Sequence, residues 1–158
     1  MSAANNVASF KHPVWNVDFG PSLSLSQLIL HGWMYGYRLH RENAGWQTQP
    51  SGASFLLASL NDLAVTVALG AILPQNTSGG WDYHLEYVRP TGWNRGVGKA
   101  ALLIRRLTPS KSAYLGAVAV PSQVGATSAW TEPSGKVLFQ VEKMEAEGRV
   151  VKVTARKI

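Results

Sequence analysis

The stretch from Ser54 to Leu73 constrains the fold more than any other. From Phe55 it reads FLLASLNDLAVTVALGAIL, apolar except for Ser59, Asn61, Asp62 and Thr66. Taken as one helix, over residues 52 to 70 or 73, it is apolar on nearly every side and has to be wrapped by the rest of the protein or by lipid. Its length suits a bilayer core, which needs about 20 apolar residues. An unpaired aspartate near the middle is costly in lipid, however, and the flanks Gln49-Pro50-Ser51-Gly52 and Pro74-Gln75-Asn76-Thr77 carry no Lys or Arg anchor. The expectation is therefore no membrane span, and a central helix buried against the concave face of a curved sheet.

The rest of the chain supplies strands for such a sheet. Trp81 to Arg89 alternates, with Tyr83, Leu85 and Tyr87 on one face and Asp82, His84 and Glu86 on the other. Further strands are predicted over Val97 to Leu107 and Ala113 to Val120, with a closing hairpin of Lys136 to Met144 and Arg149 to Ala155 over Ala146-Glu147-Gly148. Residues 1–22, punctuated by Pro13, Gly20 and Pro21, predict an irregular lead-in. A short helix follows, then a strand through the aromatic stretch from Trp33. Loops are expected over Asn76 to Gly80, over Gly92 to Gly98, and at greatest length over Pro121 to Pro133. The predicted class is α+β, a single domain over residues 1–158.

Composition narrows the chemistry. With 46% hydrophobic and 15% charged residues the chain is not a disordered tail. The absence of cysteine excludes disulfides, a thiolate nucleophile and a Cys-ligated metal. His12, His31, His40 and His84 lack metal-type spacing, so neither a metal nor a cofactor is expected. The net charge of +6 is dispersed, densest at Arg105-Arg106 and at Lys152, Arg156 and Lys157, which predicts solubilising charge and no nucleic-acid partner. Met1 to Phe10 lacks the charged-then-apolar order of a secretory signal, and a cytoplasmic location is expected. Trp33, Tyr35, Tyr37, Trp46, Trp81, Tyr83, Tyr87 and Trp93 flank the apolar stretch; they either fill the core or line a cavity with phenolic donors.

Ser59, Asp62 and Thr66 are spaced by three and four, along one side of a helix. A buried helical aspartate has to be paired or hydrogen-bonded, or has to face a wet cavity. It is either a satisfied structural carboxylate or a general base of raised pKa at the floor of a pocket.

Leu57-Ala58-Ser59-Leu60-Asn61-Asp62-Leu63-Ala64, followed after a loop by Leu85-Glu86-Tyr87-Val88-Arg89-Pro90 and more strands, resembles the hotdog-fold acyl-CoA thioesterases over residues 52 to 120. Where many members of that family have His-Gly-Gly at the helix start, this chain has Ala53-Ser54-Phe55, with Gly52 just before. The resemblance implies a hotdog-like sheet wrapped around the helix in a homodimer or dimer of dimers. The implied reaction is hydrolysis of an acyl thioester, either acyl-CoA or a carrier-bound acyl or polyketide group. Asp62 would activate water, and Ser59, Asn61 and Thr66 would hold it. The helix start at Gly52 and Ser54 would bind the thioester oxygen, Tyr83 would line the pocket, and Arg89 and Arg105 would meet phosphates. Two other functions fit the same pattern: a dehydratase, isomerase or cyclase using the same carboxylate, and a non-catalytic hotdog-type binding or assembly module.

Overall fold

A period of two, not of 3.6, governs this chain. The computed structural model describes residues 10–11, 18–19, 24–75, 81–94, 96–108 and 112–158. In chain order these form β1 (Phe10–Lys11), β2 (Asp18–Phe19), α1 (Leu25–Leu30), β3 (Leu39–Arg41), β4 (Ala53–Ala58), β5 (Gly70–Pro74), β6 (Asp82–Val88), β7 (Ala101–Leu107), β8 (Ser112–Ala119), β9 (Thr127–Thr131), β10 (Val137–Lys143) and β11 (Val150–Lys157). β1 and β2 pair with each other. The remaining strands make two sheets, one ordered β3-β5-β6-β7-β8 and the other β4-β11-β10-β9. All their pairings are antiparallel except β3 with β5.

Alternation places one face of each sheet in a shared core. Tyr83, Leu85 and Tyr87 of β6 and Leu102 and Ile104 of β7 meet Val137, Phe139 and Val141 of β10 and Val151, Val153 and Ala155 of β11. The Tyr83 and Phe139 rings pack edge to face at 5.2 Å, an arrangement favoured by the aromatic quadrupole. Trp46 is fully buried at the end of this core, and its indole N–H donates to the Pro74 carbonyl at 2.7 Å. The sheets also approach one another at both edges. The Ala58 N–H donates to Ala68 O at 2.8 Å where β4 leads towards β5. At the far edge Gly116 of β8 lies under Trp130 of β9, where a Cβ would stand only 2.3 Å from Trp130 Cζ2.

The hotdog expectation is overturned by the segment on which it rested. Residues 52 to 73 are two strands, β4 and β5, joined by a turn-rich segment over residues 59–69, and the longest helix among the described residues is the six-residue α1. A hotdog needs a long central helix, and this chain has none among the described residues. The physical reason lies in the ambiguity of an unbroken apolar run, which suits a strand buried in a sheet as well as a buried helix. Here Ser59-Leu60-Asn61-Asp62 reverses the chain, and the β-branched Val65, Thr66 and Val67 favour extended backbone over helix. Within β4, Ala53, Phe55 and Leu57 are buried while Ser54 and Leu56 face solvent.

Elsewhere the alternation held. The strands predicted at 81–89, 97–107, 113–120, 136–144 and 149–155 correspond to β6, β7, β8, β10 and β11. The short helix is α1, but the strand expected from Trp33 is confined to β3. The loop expected over 121–133 contains β9. Of the lead-in over 1–22, only β1 and β2 are described, and the rest of it and the loop at 76–80 lie outside the described residues.

Candidate functional site

The residues expected to form a catalytic site fall into two sets. Asp62, Asn61, Thr66 and Arg89 come together where the β4–β5 connection meets the β6–β7 and β10–β11 turns. Arg149 Nε donates to Asp62 Oδ2 and Arg149 Nη2 to Oδ1, both at 2.8 Å, and Arg89 Nη1 stands 3.5 Å from Oδ2. The Asn61 amide donates to Thr91 O at 3.2 Å, and Arg89 Nη2 to Glu147 O at 2.9 Å. The hydrogen bonds from Arg149 hold the Asp62 carboxyl below its ordinary value, with further help from the charges of Arg149 and Arg89 and against a smaller effect of burial. Each oxygen already accepts from a guanidinium, so the carboxylate is a fastener across three loops and is ill-suited to take a proton from water. Beside it Thr66, with Ala64, Val65, Glu145, Arg149 and Val150, lines an open hollow of about 290 Å³. Glu145 is occupied there, because its Oε1 accepts the N–H groups of Arg149 and Val150 at 2.8 and 3.1 Å.

Gly52, Ser54, Tyr83 and Arg105 lie apart from that cluster, and Ser59 joins it only through its carbonyl, which accepts the Asp62 N–H at 2.8 Å. Gly52 has φ of +66°, and a Cβ there would stand 2.1 Å from Ala155 O, so it serves the turn into β4 and not a helix start. Ser54 is exposed opposite Thr154 of β11. Ser59 is buried, and its hydroxyl has no hydrogen-bond partner among the described residues. The Tyr83 hydroxyl accepts from Gln75 Nε2 at 3.1 Å, and burial together with the nearby Glu132 carboxylate raises its pKa. It is a core residue.

Arg105 belongs to a second polar group, on the outer face of β6 beneath α1. As the alternation predicts, His84 and Glu86 lie opposite Tyr83, yet both are buried rather than outward-facing. The Leu25 N–H donates to Glu86 Oε2 at 2.6 Å, so a carboxylate from the sheet caps the start of α1 while Ser24 and Gln27 form a capping box. Arg105 Nε is 4.0 Å from the same oxygen, and Ser26 Oγ is 3.5 Å from His84 Nδ1. Burial raises the Glu86 pKa, opposed by Arg105 and by the Leu25 N–H. Burial, with the charge of Arg41, lowers His84 to about 4. Ser26, His84 and Glu86 are sealed from solvent and fasten α1 to the sheet.

The exposed feature that sequence reading missed is a ribbon between α1 and β3. Every second residue from His31 to Tyr37 is aromatic, and the intervening ones are Gly32, Met34 and Gly36. Met34 and Leu39 pack into a small apolar cluster with Leu25, Leu28 and Ile29, and Arg38 Nη2 donates to Val65 O at 2.7 Å. These contacts turn the rings outward, leaving Trp33 64%, Tyr35 70% and Tyr37 81% exposed. The rings are mutually ordered: His31 stacks on Trp33 at 5.0 Å and 27°, and Tyr35 on Tyr37 at 5.6 Å and 22°. The alternate spacing was the available signal, obscured because aromatic residues usually fill cores.

Among the described residues there is no group of three His, Asp or Glu side chains that could hold a metal ion, and no helix long and apolar enough to cross a membrane. Comparison with protein-family models, curated proteins and solved structures yields no match.

Proposed function

We propose that this protein is a non-catalytic binding module that holds a ring-bearing ligand on the aromatic ribbon of Trp33, Tyr35 and Tyr37. The exposure of three large aromatic side chains within five residues, Tyr35 stacked on Tyr37 and Trp33 on His31, carries this reading. At about 200 Å² per aromatic side chain, the three rings together expose roughly 400 Å², comparable to the largest apolar patches on monomeric proteins, which are often functional. Its gross value on burial is about 10 kcal/mol at 25 cal/mol/Å², enough to offset the cost of association for a modest ligand.

The same area argues against a second copy of the chain as the occupant. Two ribbons together would bury about 800 Å², below the roughly 1,200 Å² at which stable protein interfaces begin. The homodimer expected from the resemblance therefore draws no support from this patch. Thioester hydrolysis draws none from the geometry either: the helix it needed is two strands, and Asp62 is clamped.

The test is a tryptophan-emission titration of the full chain and of Trp33→Ala with two probes, dodecathymidylate and cellohexaose. Saturable binding of either probe, weakened tenfold or more in Trp33→Ala while the thermal midpoint is unchanged, is the expected result. Binding of neither probe, or binding indifferent to Trp33, would overturn the assignment. Turnover of an acyl-CoA that disappears in Asp62→Asn would restore the catalytic alternative.

A further inference from the structure

We infer that α1 is an acid-operated latch: protonation of His84 beneath it lifts α1 from the outer face of β6, and the aromatic ribbon, tied to its C-terminal end, moves with it. The latch does not depend on what the ribbon holds. Strand register puts His84 in a row across the outer face of the five-stranded sheet, between Ile72 of β5 and Arg105 of β7, with Arg41 of β3 beyond Ile72. Two arginines therefore flank the imidazole. Its same-face neighbours along β6 are Asp82 and Glu86, yet among the described residues no carboxylate makes an ion pair with His84. The Glu86 carboxylate is already engaged by the Leu25 N–H at 2.6 Å and by Arg105 Nε at 4.0 Å. From above, α1 brings no charged residue, only Ser26 Oγ at 3.5 Å from His84 Nδ1. With His84 just 2% exposed, a proton on its ring would add a third positive charge to a sealed row without a counterion of its own.

The cover is the part that can give way. At six residues α1 is about half the length at which a helix holds by itself in water, so it relies on its contacts with the sheet. Leu25 supplies the main one, filling the space that a Cβ on Gly70 would need, 2.3 Å from Leu25 Cδ2. β5, β6 and β7 are each paired on both sides, so opening takes α1 and leaves the strands. The Trp33 N–H donates to Leu28 O at 2.8 Å, and Met34 packs with Leu25, Leu28 and Ile29, which ties the ribbon to the helix. Burial and the charge of Arg41 hold His84 at about 4 in the closed form, against an ordinary 6.5 once it meets water, so acid between those values favours opening. Glu86 acts in the opposite sense, because burial raises its pKa and the closed form takes up that proton first. His84 alone would shift the opening equilibrium about 30-fold from pH 7.5 to pH 5.0, and Glu86 subtracts from this.

The experiment is hydrogen exchange of the full chain, read by mass spectrometry at pH 7.5 and pH 5.0 with labelling times scaled for the intrinsic effect of pH. Protection over residues 24–31 should fall roughly fivefold or more beyond any fall over 137–157 in β10 and β11. In Glu86→Gln the fall should be at least as large as in the parent, up to about 30-fold, and in His84→Gln it should vanish or reverse. A smaller fall in the parent, a fall shared with 137–157, a reduced fall in Glu86→Gln, or one that persists in His84→Gln overturns the latch. NMR titration of the His84 ring in the parent keeps the test decisive if His84→Gln does not fold. The ring is expected to protonate in step with the loss of protection over 24–31. A ring that protonates while α1 stays protected also overturns the latch, because the proton is then accommodated beneath the helix.

Discussion

Replacing Gly52 by alanine sets the observed strands against the helix that the sequence suggests. In a helical start, Gly→Ala stabilises by roughly 0.5–1 kcal/mol, because glycine loses more backbone freedom on folding than alanine does. In the observed fold the sign is reversed. Gly52 has φ of +66°, a region that costs a non-glycine residue roughly 1–2 kcal/mol. A Cβ there stands 2.1 Å from Ala155 O and 2.9 Å from Arg156 Cα, both backbone atoms of β11, which is held between β4 and β10. Relieving such a contact by moving the strand costs roughly another 1–3 kcal/mol. The expected total is about 2–5 kcal/mol, or a drop in melting temperature of roughly 5–15 °C for a chain of this size. Gly32 supplies the control: its φ is +70°, but nothing lies within 4 Å of its Cβ position, so Gly32→Ala should cost only the backbone part. Urea and thermal unfolding of both variants, followed by circular dichroism, measure the difference. Should Gly52→Ala be neutral or stabilising, or cost no more than Gly32→Ala, the placement of β4 against β11 is wrong.

Three further outcomes follow from the structure. Asp62 has a folded-state pKa below its ordinary 3.8, so the stability it contributes is complete above about pH 5 and is lost as the pH falls through 3.8 and below. Asp62→Asn should therefore be less stable than the parent in urea at pH 7, and the gap should narrow at pH 3; a constant gap would contradict the clamp. His84 runs the other way round: its folded value of about 4 lies below its ordinary 6.5, so the unfolded chain takes up the proton first and stability declines between those values as acid is added. That decline is about 3 kcal/mol and should flatten in His84→Gln, as read by urea midpoints from pH 7 to pH 4, with Ser26, Arg41, Glu86 and Arg105 as the polar and charged groups nearby. Phe139→Ala removes a fully buried ring packed against Tyr83 and should cost about 3–5 kcal/mol in equilibrium unfolding, whereas a loss under 1 kcal/mol would mean that the sheets do not share this core.

Where the sequence alternated, it was legible. Tyr83, Leu85 and Tyr87 against His84 and Glu86 placed β6 and its inner face correctly, and the β10–β11 hairpin was evident from its own alternation and turn. β4 and β5 were not legible as strands, because one ends on Ala58, buried out of alternation, and the other is buried at four successive positions, which erases the period that distinguishes strand from helix. The spacing of Ser59, Asp62 and Thr66 then suggested a helix side where there is a turn-rich connection. β9 was hidden for the opposite reason: Thr127, Ala129 and Thr131 face solvent at a sheet edge, and their polarity resembles a loop. In the site, the importance of Asp62 was legible but its role was not, since Arg149 lies 87 positions away in the chain. In the sequence Trp33, Tyr35 and Tyr37 read as core or cavity residues; only the packing of Met34 and Leu39 shows which side of the ribbon faces water.

The order of the second sheet bears on how the protein is made. β4 is paired along its length with β11, so Ala53-Ser54-Phe55-Leu56-Leu57-Ala58 leaves the ribosome long before its hydrogen-bonding neighbour is translated. During that interval an apolar strand edge stands open, the kind of surface on which nascent chains stick to one another. A chain whose synthesis stops before Val150 lacks the partner of β4 and would keep this edge open, an adhesive intermediate in place of a smaller domain.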